Sequence, residues 1–281
     1  MEKLFKLKQN NTTVRTEIVA GITTFLAMAY ILVVNPGMLA EAGMDYNAVF
    51  LATAVSAAIA TLCMAFFANY PVGLASGMGL NAYFTYTICL GMGVDWRVAL
   101  TAVLVEGLIF IVLSLCKFRE ALVNAVPANL KYGITAGIGL FIAFVGLQGS
   151  GVVIASSSTL VDLGAIGSAE FALSMIGLLI IGILYHYKVK GSILIGILAT
   201  WILGIICQFL GWYQGASLLP DFSNWTLIPK VGESTLFQFD FTWAGQHLMD
   251  FCVIVFSFLF VDLYDTAGTL IGVASKGNLL D

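Results

Sequence analysis

Asp262 and Asp265 stand near the end of the run Phe260-Val261-Asp262-Leu263-Tyr264-Asp265-Thr266-Ala267-Gly268-Thr269, which otherwise reads as a membrane helix. The spacing i, i+3 turns both carboxylates onto one helical face, with Cβ atoms roughly 5–6 Å apart. Ionisable groups at membrane depth are costly, and where they occur they typically carry ions, protons or polar substrates. Two carboxylates this close resist ionising together and titrate as a pair. A carboxylate that takes up a proton on one side and releases it on the other couples transport to a proton gradient. The competing reading is a snorkelling, water-exposed pair at the inner helix end. Thr266, Gly268 and Thr269 argue against it, because they continue the helix with small polar residues rather than a basic interface. Glu106 is a third acid inside an apolar run, and either pairs with polar groups inside the bundle or serves the proton path.

A second constellation lies at 69–81, Asn69-Tyr70-Pro71-Val72-Gly73-Leu74-Ala75-Ser76-Gly77-Met78-Gly79-Leu80-Asn81. Pro71, Gly73, Gly77 and Gly79 disfavour a continuous helix. The sequence predicts an extended stretch followed by a half-helix from about Gly79 to Leu90. Non-helical backbone at membrane depth survives only when buried in protein or lining a cavity. Broken helices of this kind build substrate sites in secondary transporters, since the half-helix N-terminus offers unpaired N–H groups. Gly79 and Asn81 fall in its first turn, and the Asn81 amide can both donate and accept. Close packing of helices through small residues is the alternative use of such glycines. Thr23 and Thr24 are placed to bond helix carbonyls, and Asn35-Pro36 is expected to end the first helix.

The elements that must position these groups are membrane helices. Hydrophobic residues make up 60% of the 281 and charged ones 10%, and the mean hydropathy is +0.98. A soluble domain carries about 25% charged residues, so this chain lacks the surface to stay in water. The alternating segments of a membrane β-barrel are absent. Apolar windows long enough to cross a bilayer fall near 18–34, 48–67, 71–90, 98–116, 132–147, 171–185, 192–210 and 248–265. With the N-terminus cytoplasmic, ten of the twelve Lys and Arg residues lie on the inner side and only Arg97 and Lys230 outside, as the positive-inside rule requires. The connection 117–131 reads as an amphipathic link on the inner surface. Residues 212–247 read as an outer loop in which Trp212, Trp225 and Trp243 suit the headgroup zone.

Other chemistries find little support. A net charge of −4 with scattered acids argues against nucleic acid as a partner. The five cysteines, Cys63, Cys89, Cys116, Cys207 and Cys252, form no C-x-x-C pair and read as buried thiols. No metal ligand set appears, since neither His186 nor His247 has a cysteine at ligand spacing. No phosphate-binding Walker loop, nucleophile–base set or ring of like pore-lining side chains is visible. The polar N-terminus reads as carrying no cleavable signal peptide.

With these residues placed, the chain resembles the AzgA-like purine permeases of the nucleobase:cation symporter-2, or xanthine/uracil permease, family. The resemblance rests on Gly21-Ile22-Thr23-Thr24-Phe25-Leu26-Ala27-Met28-Ala29-Tyr30-Ile31, Asn35-Pro36, Gly77-Met78-Gly79-Leu80-Asn81-Ala82-Tyr83-Phe84, Gly137-Ile138-Gly139-Leu140-Phe141 and the 260–270 run. It implies an all-α polytopic fold of fourteen helices in two inverted seven-helix repeats, with the broken third helix preceded by a short extended strand. On that pattern 1–116 would begin a core domain and 117–211 a gate domain. Residues 212–247 would form the extracellular loop, and 248–281 would open the second repeat.

The resemblance also implies a multi-pass protein of the cytoplasmic membrane that imports guanine or hypoxanthine before adenine, by proton symport without a cofactor. A homodimer in the bilayer fits the same pattern. The family's binding residues map onto Asn81, Asp262 and Asp265. Gly79 joins them as the backbone donor, and Glu106 joins the aspartates in proton coupling. A further acid expected on a tenth helix has no counterpart here, so the chain reads as a fragment or a truncated, inactive product. The rival within a related architecture is a sulfate- or bicarbonate-type anion transporter, whose substrates paired aspartates would repel.

Overall fold

The computed structural model describes residues 12–115, 128–189, 191–219, 230–232 and 235–276, together with Phe5 and Leu7. The amphipathic link expected over 117–131 lies outside the described residues as far as 127, as do Cys116 and Trp225. The chain is mostly helical. In order it forms α1 (Val14–Met28), α2 (Ile31–Glu41), α3 (Tyr46–Cys63), α4 (Met78–Ala82), α5 (Trp96–Leu115) and α6 (Ala128–Gly149). The hairpin β1 (Val153–Ser156) and β2 (Leu160–Leu163) follows, then α7 (Ala169–His186), α8 (Ser192–Phe209), α9 (Phe241–Gln246) and α10 (Leu248–Lys276). Among the described residues, five helical stretches are long and apolar enough to cross a membrane: Val14–Glu41, Tyr46–Ala68, Trp96–Leu115, Ala169–His186 and Ser192–Phe209. Their outward faces expose large apolar side chains, as at Phe25, Ile59, Ile111, Leu179 and Ile202, which is costly in water.

Asn35-Pro36 does not end the first helix. The chain breaks earlier, at Ala29 and Tyr30, and α2 then runs through Pro36 to Glu41. Proline removes one helix hydrogen bond and disfavours the α conformation in the residue before it. Here tertiary packing overrides both effects, because Pro36 is fully buried and Asn35 is 5% exposed. The hairpin was not anticipated either. It pairs Val153 with Leu163 and Ser156 with Leu160 in antiparallel register. Its strands are four residues long and largely exposed, so they carry no alternation to read.

The chain divides into two compact units. The first comprises 1–34, 50–76 and 144–230. Within it α7 and α8 pack through small residues: Gly177 lies against Thr200, and Gly196 against Ile181, where a Cβ would have no room. Close approach of this kind is how helices associate in lipid, where no hydrophobic force drives them together. In α1 the Thr23 and Thr24 hydroxyls donate to the carbonyls of Val19 and Ala20 at 2.8 and 3.0 Å, as expected. Trp212 donates its indole N–H to the Gly167 carbonyl at 3.2 Å.

The first unit also holds the extended stretch. After α3 the helix widens into a π-helical turn, Met64–Ala68. Asn69 closes it in the left-handed region (φ 52°), with its N–H on the Met64 carbonyl. Asn tolerates that conformation better than most residues. Residues 69–77 then run without helix or ladder. The Thr61 hydroxyl stands in for a neighbouring strand, accepting from Leu74 N at 3.0 Å and donating to Leu74 O at 3.2 Å. Thr61→Val keeps the shape and removes both bonds. It is expected to lower stability by about 1–2 kcal/mol, read as an earlier thermal aggregation of the detergent-solubilised protein. An unchanged transition would mean that water or other groups hold this stretch.

The second unit comprises 35–49, 77–143 and 231–281. Its core gathers Ile88, Val98, Ala99, Ala102, Ile254 and Phe258 from the half-helix, α5 and α10. The Phe258 ring meets Tyr83 edge-on at 5.4 Å. α9 is capped by Asp240, whose own N–H donates to Thr101 on α5 at 2.9 Å. Trp243 stacks on His247 at 4.6 Å and packs against this core. The expectation of buried thiols holds for Cys89 but not for Cys63 and Cys252, which are exposed on apolar helices, with Cys207 between. Sequence cannot tell a helix face turned to protein from one turned to lipid when both are apolar.

Candidate functional site

The site is built at the start of α4. Gly77 opens the helix in an extended conformation (φ −74°, ψ 116°), with no side-chain cap. The Asn81 N–H bonds the Gly77 carbonyl at 3.1 Å. The N–H groups of Met78, Gly79 and Leu80 therefore precede the first helical bond and have no intrahelical acceptor. From Tyr83 to Gly91 the helix continues in π form. The half-helix thus starts one residue before Gly79, and Gly79 is buried in its first turn.

α10 packs against both α4 and α5. This brings the Asp265 carboxylate to the helix opening. A Cβ placed on Gly77 would stand 3.0 Å from Asp265 Oδ2, so the absence of a side chain at 77 lets the carboxylate lie against the first residue of the half-helix. A negative group at that end also complements the helix dipole. One turn earlier, Asp262 Oδ1 accepts from the Thr266 hydroxyl at 3.0 Å. Asp262 also interacts electrostatically with both Asp265 and Glu106. Glu106, on α5, is 6% exposed, and its Oε1 has no hydrogen-bond partner among the described residues. A buried acceptor without a partner costs about 1–3 kcal/mol, so this oxygen calls for an explanation in its own right.

Asp262, Asp265 and Glu106 therefore form one acidic group in the second unit, beside Gly77 and the turn that holds Gly79 and Asn81. The Asn81 amide donates through Nδ2 to Asn35 Oδ1 at 2.7 Å. Gly77 and Asn35, legible in the sequence only as a helix breaker and a helix end, are two further residues that the structure brings to this group. A polar side chain at position 35 in a long apolar run is itself the signal that could have found Asn35, since such groups are rarely idle at membrane depth. Among the described residues no cluster of three His, Cys, Asp or Glu side chains is arranged to hold a metal ion. A cavity of about 580 Å³ lies in the first unit, walled by α1, α3 and the extended stretch around Gly73 and Leu74. None of the carboxylates at the opening of α4 lines it.

Comparison with known proteins matches residues 15–279 to a family described as Permease family, the xanthine/uracil permeases. A guanine/hypoxanthine permease of Bacillus subtilis, PbuO, is 42% identical over 280 residues, covering 99% of this chain and 63% of that protein. A permease of Methanocaldococcus jannaschii, MJ0326, is 45% identical over 281 residues, covering the whole chain and 62% of its own length. The adenine permease AdeP of Escherichia coli is 38% identical over 281 residues, again the whole chain and 60% of that protein. The chain thus spans less than two thirds of the length of these relatives.

Proposed function

The chain belongs to the Permease family of xanthine/uracil permeases, and from that membership we propose that it serves the import of a 6-oxopurine, guanine or hypoxanthine, by proton symport with alternating access. The observation that supports this most is the Asp265 carboxylate seated against the opening of α4. Guanine offers adjacent N–H donors along one edge, and a carboxylate can accept two such bonds in a fork. The first N–H groups of the half-helix and the Asn81 amide can meet the carbonyl and ring nitrogens of the same base. Asp265 is the main base contact on this reading, with Asp262 its partner and Glu106 the third acid in the proton path. The named substrates of two relatives, guanine and hypoxanthine in one and adenine in the other, agree with a purine site.

The proposal extends to a fold of two inverted seven-helix repeats. Residues 1–116 would begin a core domain, 117–211 a gate, 212–247 an outer loop and 248–281 the second repeat. The N-terminus is cytoplasmic in this scheme, and a homodimer in the cytoplasmic membrane completes it. Sulfate or bicarbonate is disfavoured as substrate by three gathered acids. Competition separates the two readings in cells that express the gene encoding this chain. Excess unlabelled guanine is expected to suppress labelled hypoxanthine uptake while sulfate and bicarbonate leave it unchanged. Suppression by the anions and not by guanine would refute the purine site.

Glu106 orders the roles further. If it hands on protons rather than touching the base, Glu106→Gln should slow uptake several-fold with little change in the KM for hypoxanthine. A large rise in KM at unchanged maximal rate would move Glu106 into the base contact itself.

A further inference from the structure

We propose that Asn35 is a positioning residue that sets purine selectivity by fixing the orientation of the Asn81 amide, an inference that rests on the purine reading of the site. Asn35 Oδ1 accepts from Asn81 Nδ2 at 2.7 Å across 46 residues of sequence. Asn35 is 5% exposed and Pro36 is fully buried. The position before a proline normally leaves the α conformation, yet α2 keeps it and continues to Glu41. Five residues along the half-helix from Asn81, the Tyr86 hydroxyl donates to Glu41 Oε1 at 3.2 Å. α2 therefore braces the half-helix at two points, and the first of them is the side chain assigned to base recognition.

The chemistry of the bond determines what it controls. A carboxamide is a planar group with an acceptor on one edge and donors on the other, and a half-turn about its terminal torsion exchanges them. 6-Oxopurines and 6-aminopurines differ by that same exchange: the first present a carbonyl beside a ring N–H, the second an amino group beside a bare ring nitrogen. An amide free to turn accepts either pattern. With Nδ2 donating to Asn35 Oδ1, the Asn81 amide keeps one orientation for as long as Asn35 keeps its own, and in that orientation it discriminates, because the wrong base leaves buried polar groups unpaired. Asn35 is thus not a contact of the base but the group that fixes the edge Asn81 presents.

The test measures the KM of hypoxanthine and the inhibition constant of adenine in cells expressing the gene that encodes this chain, with surface abundance quantified in parallel. Asn35→Leu keeps the size and removes the acceptor, and is expected to narrow the ratio of the two constants roughly tenfold, the scale of one hydrogen bond that discriminates. Asn35→Asp retains the acceptor in the same place and should keep the wild-type ratio. In the Asn81→Ala background, Asn35→Leu should change the ratio no further, as expected of residues acting through one another. A wild type that does not discriminate, or an Asn35→Leu variant that lowers abundance or shifts both constants equally, would overturn the inference while leaving the purine reading standing. Absence of saturable hypoxanthine uptake by the wild type would instead remove the purine reading and this inference with it.

Discussion

Asp265→Asn is expected to abolish saturable purine uptake while leaving the protein in the membrane at normal abundance. The substitution preserves shape, so the packing of α10 against α4 and α5 survives. It replaces an acceptor of two hydrogen bonds by a group with one acceptor and one donor face, so one N–H of the base meets an N–H of the protein. Hydrogen bonds to a charged group contribute about 1.5–3 kcal/mol each. Losing one and opposing another should raise the KM for guanine, which offers both N–H groups, by roughly a hundredfold or more. On the proposed mechanism the variant also removes one of the two aspartates assigned to proton coupling, so transport against a gradient fails even where binding persists. Unchanged uptake would take Asp265 out of the site altogether.

Gly77→Ala should also impair binding, though less severely, for a reason that has nothing to do with backbone freedom. The conformation at 77 (φ −74°, ψ 116°) is open to any residue. What the new methyl meets is Asp265 Oδ2 at 3.0 Å and, less closely, Leu80 Cδ1 at 3.8 Å. The carboxylate must retreat by a few tenths of an ångström from the opening of the half-helix. A shift of that size takes up most of the roughly 0.5 Å within which a binding group must be held. A rise in KM of roughly tenfold, at normal abundance and with thermal stability lowered by no more than about 1 kcal/mol, is the expected outcome. Wild-type KM in this variant would mean that Asp265 does its work elsewhere than against Gly77.

Much of this arrangement can be read from residue types, and the parts that cannot share a physical cause. The apolar windows, the interruption before Met78 and the i, i+3 aspartates are local features, set by helix periodicity, by proline and glycine, and by the rarity of charge at membrane depth. Asp262, Asp265, Glu106, Gly79 and Asn81 were singled out on those grounds, though their roles remain proposals. What local pattern does not contain is which side chain lies across from which. Asn35 before Pro36 looks like a helix terminator until Asn81 is seen to hold it. Gly77 looks like one of several flexible glycines until Asp265 is found against it. The hairpin at 153–163 escaped for the opposite reason: its strands are short and largely exposed, so burial left no pattern on them. The exposed cysteines 63 and 252 reflect a bilayer that accepts the same side chains as a protein core.

The most direct test of the central claim is the proton movement that accompanies the base. De-energised cells expressing the gene that encodes this chain are suspended in a lightly buffered medium, and hypoxanthine is added while external pH is recorded. A carboxylate site shared by purine and proton predicts prompt alkalinisation of the medium, saturable with hypoxanthine, abolished by a protonophore and absent in Asp265→Asn. Hypoxanthine entry with no change in external pH would contradict the account, because the base would then cross without the proton that Asp262, Asp265 and Glu106 are gathered to carry.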